Sequence, residues 1–457
     1  MIRLFRAGPW PDYRTVWRWH FYAGLLCLPF VAFLCLTGTL YLFKPQIEAR
    51  IDRAYDHLPP PPPGMLAATP GAAVAAALRA VPQGRFLAYE LPSSPHAALR
   101  VLVGRGGDAV RVYLDPVTLA VLKRVSEESR FERVVFNLHG QLLMGNAGSV
   151  IMELVASWTI VLAVTGLYLW WPRRGAGQGW GGVVYPRLGA GGRTAWRDAH
   201  AVTGLFVSLF LVLFLASGLP WSFVWGHALK AAEDRLAPIL PVPGPSVPDW
   251  QIGHVPARVE IAGGASGMAA MPGMEMDGPT RAAVPAAGFD PAALDRVAAA
   301  AMRLDLPAPV LVTPPAGVGQ GWGVRSDTQN RPRRASARFA ADGRMLSFTP
   351  FAAKGPVDRI VAYGVAAHEG QLFGWPNQMA NLLVATGLLT MSVAATILWL
   401  RRRPPGRLGA HPRHPEGRVG WGGVLLALVL CLLLPELAAS VAILLAAMAV
   451  GRRFRLG

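Results

Sequence analysis

Long apolar runs alternate with long polar regions along the chain. Four of the runs predict membrane-spanning helices, over about residues 19–43, 150–171, 200–224 and 378–400. Each run has about the twenty residues that a helix needs to cross the hydrocarbon layer of a bilayer. The pattern therefore predicts a polytopic α-helical membrane protein in contact with the lipid bilayer.

The last apolar stretch, residues 419–450, contains one charged residue, Glu436, beside Pro435. A single span here would place the basic C-terminal tail outside, against the usual distribution of arginines. We therefore interpret the stretch as a hairpin of two short spans that turns at Pro435.

The two large polar regions, 44–138 and 225–366, each predict a small α+β domain, in which a helix precedes several strands. In the first region, the unbroken proline run 59–63 is typical of a stiff spacer. A turn is predicted at Asp342-Gly343 in the second. The predicted helices are 72–80 and 289–302, and the predicted strands are 86–91, 99–103, 110–114, 310–312, 322–324 and 335–339.

Together these elements predict an internally duplicated four-helix core, two extracytoplasmic α+β domains and a C-terminal hydrophobic hairpin. The duplicated unit is a span, an outer domain, a histidine motif and a second span. The predicted segments are 1–43 (N-terminus and first span), 44–138 (first outer domain), 139–174 (histidine motif and second span), 175–199 (a loosely structured cytoplasmic loop), 200–224 (third span), 225–366 (second outer domain), 367–403 (histidine motif and fourth span), 404–418 (cytoplasmic loop) and 419–457 (hairpin and tail).

Charge and cysteine content refine this prediction. The net charge is +17, but much of the basic excess lies at the ends of apolar runs, as at 173–174, 401–403 and 452–453. This distribution sets membrane orientation with a cytoplasmic N-terminus, and it argues against nucleic-acid binding. All 3 cysteines lie in apolar runs, so we expect no disulfides. The first run is too long for a cleavable signal peptide and should remain as a span.

Two apolar runs open with matching motifs, WRWHFYAGL at 17–25 and WRDAHAVTGL at 196–205. In each motif a glycine, Gly24 or Gly204, follows the histidine, His20 or His200, by 4 residues. A second glycine follows each histidine by 18 residues, about five helical turns. These second glycines are Gly38 and Gly218. A histidine beside a face without side chains suits a flat, bulky ligand such as haem.

The other two spans are approached by a second pair of motifs, HGQLLMG at 139–145 and HEGQLFG at 368–374. Topology places His20 and His200 near the cytoplasmic face, and His139 and His368 near the outer face. Each pair could ligate one haem iron from both sides, which leaves no open coordination position and suits electron transfer.

Two simpler interpretations compete with haem ligation. Interfacial histidines can be amphipathic anchors, although four of them paired by duplication make this less attractive. A zinc site would need further ligands, and only Glu369 lies within these motifs.

These motifs, with the GLYLWWPRR ending at 166–174, resemble the PepSY-associated transmembrane family, which includes ferric-siderophore reductases. The resemblance covers about residues 14–403. It implies a bacterial inner-membrane protein with PepSY folds in the periplasm and two b-type haems. The family's usual Asp-Pro-x-Thr-Gly turn is here DPVTL at 115–119, which departs at its last residue, and the second domain has only DGRML at 342–346.

The resemblance implies that electrons cross the membrane and reduce an extracytoplasmic ferric siderophore or another metal chelate. No flavin or nicotinamide motif is visible, so a quinol or a redox partner should donate the electrons.

Two other functions stay open. A methionine cluster in the second outer region suits Cu(I), which would make the protein a copper reductase, although a methionine-rich linker is the simpler interpretation. Its members are Met268, Met271, Met274 and Met276. The outer domains could instead bind a protein or peptide while the membrane part anchors them, which predicts a protein without haem.

Overall fold

The computed structural model of the chain describes residues 10–172, 179–236, 290–316, 320–410 and 419–453. The chain forms two compact units. We call Met1–Leu42, Val135–Leu240 and Phe373–Gly457 the helical unit, and Phe43–Val134 with Pro241–Leu372 the sheet unit.

The helices are α1 (Tyr13–Leu42), α2 (Lys44–Ile51), α3 (Arg53–Asp56), α4 (Pro70–Ala80), α5 (Phe131–Gln141), α6 (Asn146–Trp170), α7 (Gly192–Gly218), α8 (Phe223–Leu236), α9 (Pro291–Met302), α10 (Pro356–His368), α11 (Trp375–Arg402), α12 (Trp421–Leu433) and α13 (Pro435–Arg453). The strands are β1 (Arg85–Glu90), β2 (Leu99–Arg105), β3 (Asp108–Leu114), β4 (Val121–Ser126), β5 (Val310–Thr313), β6 (Trp322–Ser326), β7 (Ala335–Phe339) and β8 (Met345–Pro350).

The helical unit is built on four helices that are long and apolar enough to cross a membrane: α1, α6, α11, and α7 with the 3-10 turn that follows it. Helix α1 packs against α6 and α11, and α7 packs against the same two helices. The four therefore form a closed ring in which α1 and α7 lie diagonally opposite each other. A side chain from α1 can then meet a side chain from α7 only across the centre of the bundle.

All four spans begin earlier than the apolar pattern predicts, and in α1 and α7 the earlier start places the histidine inside the helix. Helix α1 begins at Tyr13 because the Asp12 carboxylate caps it, accepting the Thr15 backbone N–H at 3.0 Å and its hydroxyl at 2.6 Å. Helix α7 begins after Gly191, whose φ of +91° is accessible to glycine. The last eight residues of the predicted loop 175–199 are therefore helical.

The C-terminal apolar stretch forms two helices, α12 and α13, separated by Leu434. The predicted turn at Pro435 coincides with the first residue of α13, where proline is accommodated without the loss of a helical hydrogen bond. Helix α13 packs against both α12 and α6.

The sheet unit contains one antiparallel sheet of eight strands in the order β4-β3-β2-β1-β5-β6-β7-β8. The sequence predicted two separate domains, and the structure joins both polar regions into this one sheet. Strands β1 and β5 pair at Tyr89 with Val312 and at Glu90 with Leu311. This pairing satisfies backbone groups that would be exposed edges in two separate sheets.

Helices α4 and α9 pack against each other and against the sheet, around a core of fully buried apolar side chains such as Val74, Val112 and Leu294. Their alanine-rich faces allow a close approach. A Cβ atom on Gly71 would lie 2.7 Å from Pro291, so a larger residue does not fit there. The predicted helices and six predicted strands are present, and the two outermost strands, β4 and β8, were not predicted.

The turn at 115–119 forms although it lacks the family's glycine. The Asp115 carboxylate accepts the backbone N–H groups of Val117 at 2.9 Å and Thr118 at 2.8 Å. Leu119 adopts a φ of +60°, in the left-handed region that glycine favours. Leu119 therefore occupies a backbone conformation that favours glycine.

A buried ionic network joins strands β1, β2 and β3 to the segment before α5. The Arg111 guanidinium donates to Glu90 and, at 2.6 Å, to Glu127. Arg130 donates to Glu127 at 3.3 Å and to Glu48 at 2.7 Å. Burial raises the pKa of the Glu127 carboxyl, but the two guanidinium groups outweigh burial and hold this pKa at about 2.

Candidate functional site

The structure brings His20 and His200 together inside the ring of four helices. Their imidazole centroids lie 6.3 Å apart, and the ring planes are inclined at 79°. The two residues come from the diagonally opposite helices α1 and α7.

This separation fits two imidazoles that share one metal ion. A metal–imidazole bond is about 2 Å long and a ring nitrogen lies about 1 Å from its ring centre, so the two ring centres would be about 6 Å apart. Haem iron with two axial imidazoles has this arrangement. His20 and His200 are therefore close enough for both imidazoles to bind one metal ion.

Each of these rings is held through its Nδ1 atom by a neighbouring span. His20 Nδ1 lies 2.9 Å from Thr165 Oγ1 on α6. Because the Thr165 hydroxyl donates its proton to the Val161 carbonyl at 2.7 Å, it accepts from the imidazole. His200 Nδ1 lies 3.1 Å from the Met391 carbonyl on α11, which can only accept. In both residues the proton is therefore on Nδ1, and Nε2 carries the lone pair that a metal requires.

His139 repeats this arrangement at the opposite end of α1. Its Nδ1 atom lies 2.9 Å from Thr37 Oγ1, and the Thr37 hydroxyl donates to the Phe33 carbonyl at 2.9 Å. The threonine again accepts from the ring, so His139 has its proton on Nδ1, as His20 does. Thr37 follows His20 by 17 residues, which at 1.5 Å per residue places the two histidine positions about 25 Å apart along α1.

Glycines allow both threonine-bound rings to lie against a helix backbone. A Cβ atom on Gly166 would lie 3.2 Å from Cε1 of His20, and one on Gly38 would lie 3.1 Å from Cε1 of His139. These distances are shorter than most van der Waals contacts of a methyl group. At both positions, 37–38 and 165–166, the glycine directly follows the threonine that binds the ring.

The sequence pattern predicts a helix face without side chains below each histidine, formed by Gly24, Gly38, Gly204 and Gly218. The structure places Gly38 against the other histidine, His139. Gly24 faces Leu162, and a Cβ atom on Gly204 would lie 3.1 Å from Met391 Cε, so both glycines serve contacts between neighbouring spans. Gly218 is the last residue of α7. Thr165 and Gly166, which touch His20, were missed as site residues.

His368 ends helix α10 in the sheet unit. The next residue, Glu369, is bound by two buried cations, Arg331 at 3.4 Å and Lys44 at 3.7 Å. The pairing of His368 with His139 stays a prediction.

A buried carboxylate near the start of α7 is bound by two arginines. Asp198 is fully buried and accepts hydrogen bonds from Arg187 Nε at 2.7 Å and Arg197 Nη2 at 2.6 Å. Because Arg187 belongs to the preceding loop, this carboxylate fixes the loop to the helix that carries His200. Asp198, a residue of the motif that contains His200, therefore has a structural role.

The alternative metal sites gain no support from the described residues. Met268, Met271, Met274 and Met276 lie outside the described ranges. Within those ranges, no group of three or more His, Cys, Asp or Glu side chains is arranged to hold a metal ion. The zinc interpretation needs such a group.

Comparison with known proteins assigns the chain to a family. No curated protein matches it. The family described as the PepSY-associated TM region matches residues 17–402, which include all four long apolar helices, the sheet strands and the four histidine motifs. The protein therefore belongs to the PepSY-associated TM family, and it is a membrane protein.

Proposed function

We propose that this protein is a haem-binding electron carrier of the bacterial inner membrane that reduces a ferric chelate on the outer side. The observation that carries the proposal is the meeting of His20 and His200, at 6.3 Å between ring centroids, across the centre of the helix ring. Haem, when bound, would supply reversible one-electron chemistry.

The protein's own residues set the properties of such a site. Two Nε2 ligands would fill both axial positions, which favours electron transfer over oxygen binding. Thr165 and Met391 fix the ring orientations through Nδ1 and increase the basicity of the ligand nitrogens.

The second site in this proposal pairs His139 with His368. It is motivated by the equivalent Thr37 hydrogen bond of His139 and by the matching motifs at 139–145 and 368–374. The duplication of span, outer domain, histidine motif and span is part of the same proposal. It agrees with an eight-stranded sheet whose halves are two consecutive four-stranded sets joined at β1 and β5.

Orientation follows from the arginines. Clusters at 173–174 and 401–403 follow the second and fourth spans, so these ends and the N-terminus would face the cytoplasm. His20 and His200 would then lie near the cytoplasmic face, and the sheet unit would face the periplasm. Electrons would come from a membrane quinol or a redox partner. Reduction would release iron, because hard oxygen ligands hold Fe(III) tightly and Fe(II) weakly.

A vesicle assay tests this function. Purified protein is reconstituted into lipid vesicles that contain a reduced quinol, a ferric chelate with oxygen donors is added outside, and Fe(II) is followed with a chromogenic indicator. Wild-type vesicles should reduce the chelate at least about tenfold faster than His20→Ala vesicles. His227→Ala is the matched control, because His227 bonds the carbonyl of its own helix and should leave the rate unchanged. Wild-type vesicles no faster than empty ones would refute the proposal.

A further inference from the structure

A second polar group lies inside the helical unit, away from the histidines. Glu153 of α6 is 2% exposed and Glu436 of α13 is 7% exposed. Trp225 places them at one junction, because its backbone N–H donates to Glu153 and its indole N–H donates to the carbonyl of Leu433, three residues before Glu436. An ionisable side chain within a membrane span is costly and generally functional.

Glu153 is equipped to carry a negative charge. Its carboxylate accepts the Ser222 hydroxyl at 2.6 Å, the Val224 N–H at 3.0 Å and the Trp225 N–H at 2.5 Å. The two backbone groups belong to the first turn of α8, a helix of 14 residues, where the helix dipole also favours an anion. These donors stabilise the ionised form of Glu153.

Glu436 lacks such donors. Both of its carboxyl oxygens are buried, and within the described residues no hydrogen bond of ordinary geometry from a donor reaches either of them. Two adjacent carboxylates cannot both ionise cheaply in an apolar environment. A proton on Glu436, donated to Glu153, gives the Glu436 carboxyl a hydrogen bond and removes the like-charge repulsion.

The environment of the pair is otherwise apolar and fixed in position. Leu219, Leu434 and Leu437 form a buried cluster around the same junction. Trp225 Nε1 donates to the Leu433 carbonyl at 2.9 Å, and Trp158 Nε1 donates to Ser440 at 3.1 Å. These contacts attach the C-terminal hairpin to α6 and α8, so Glu436 is held against Glu153.

We propose that Glu153 and Glu436 form a proton-binding site within the membrane part of the protein, to which the C-terminal hairpin contributes the second carboxyl. The inference rests on the geometry of the pair and is independent of the haem proposal. A metal cation fits less well, because three donors already occupy the Glu153 oxygens and calcium would need about six oxygen ligands. Glu436 also lies beyond the family match at 17–402.

Experiments on Glu153 and Glu436 need controls for the other titratable side chains on neighbouring helices. On α8, the titratable side chain of His227 is hydrogen-bonded to the Phe223 carbonyl, and α12 contains the titratable residue Cys431. Lys230, Glu233, Asp234 and Arg235 follow farther along α8. The first turn of α13 contains only Glu436.

Infrared spectroscopy of the full-length protein in lipid vesicles tests the proposal. At neutral pH, the wild type should show the carbonyl band of a buried protonated carboxyl, which shifts in D₂O. Glu436→Gln should lose the band, and Glu436→Asp should keep it at a shifted frequency. Ser222→Ala should also keep it at a shifted frequency, because Glu153 loses one donor. His227→Gln and the exposed Glu128→Gln are controls that should keep the band unchanged.

Two results would overturn the proposal. One is the absence of a protonated-carboxyl band from the folded wild type. The other is a band that persists unchanged in both Glu436→Gln and Glu153→Gln, since the proton would then belong to another group.

Discussion

Thr165 Oγ1 lies 2.9 Å from Nδ1 of His20, although the two residues are 145 positions apart in the chain. The same pair of atoms joins Thr37 and His139, also at 2.9 Å. The first bond joins the spans α6 and α1, and the second joins α1 to helix α5. Each threonine is followed by a glycine that makes room for the ring. The chain thus presents two histidines in one tautomer at two positions along α1.

The first prediction concerns the pairing of His20 with His200. Because one iron would need both axial ligands, His20→Ala and His200→Ala should each remove the same haem, about half of the wild-type content. The double variant should lose no more than either single variant, since the two residues act as a unit. Haem per chain, measured by extraction after purification, decides this. Additive losses in the double variant would show that the two histidines serve different sites.

The second prediction concerns the threonines. Thr165→Val preserves shape and removes the group that orients His20, so haem should bind this site about 10–100-fold more weakly. Haem titration of the apoprotein measures the change. Thr159→Val is the matched control, because Thr159 is on the same helix and its hydroxyl likewise donates to a backbone carbonyl of that helix, that of Val155, at 2.7 Å. Equal affinities in the two variants would contradict an orienting role for Thr165.

The third prediction concerns Gly38. A methyl group there would lie 3.1 Å from Cε1 of His139, so Gly38→Ala should displace the ring by a few tenths of an ångström. We expect about tenfold weaker haem binding at the His139 position, with the His20 position unaffected. Gly140→Ala is the control, because a Cβ at Gly140 has no other heavy atom within 4 Å. Equal haem spectra and affinities for Gly38→Ala and Gly140→Ala would contradict the claim that Gly38 makes room for the His139 ring.

The fourth prediction concerns the acid stability of the sheet unit. The folded-state pKa of Glu127 is about 2, below the value of about 4.3 for an unfolded chain. Its contribution, about 3 kcal/mol, is therefore present above pH ~4 and is lost as the pH falls through the folded pKa. Thermal unfolding between pH 7 and pH 2 should show this loss in the wild type and not in Glu127→Gln. Glu128→Gln, whose side chain is 45% exposed, should behave like the wild type.

Much of the fold could be predicted because its physical signals are local. The four long helices follow from uninterrupted apolar runs, and the alanine-rich helices and buried strands follow from their periodicity. The helix starts at Tyr13 and Gly192 could not be read from hydropathy, since a capping aspartate and a loop glycine determine them. Strands β4 and β8 were missed because they are exposed and lack apolar alternation.

The site was predictable only in part. His20 and His200 were found because their motifs repeat, and repetition is visible without a structure. Thr165, Gly166 and Met391 were missed as site residues because their roles arise from contacts between spans that are distant in sequence. The joining of the two polar regions through β1 and β5 was missed for the same reason, because backbone pairing at strand edges leaves little trace in composition.

The optical spectrum of the purified protein, oxidised and dithionite-reduced, with haem quantified per chain, tests the central claim most directly. The account predicts a low-spin b-type spectrum and about two haems per chain, because both pairs of histidines would provide complete axial ligation. A folded, colourless protein from haem-sufficient cells would contradict the account, and it would favour a membrane-anchored binding module.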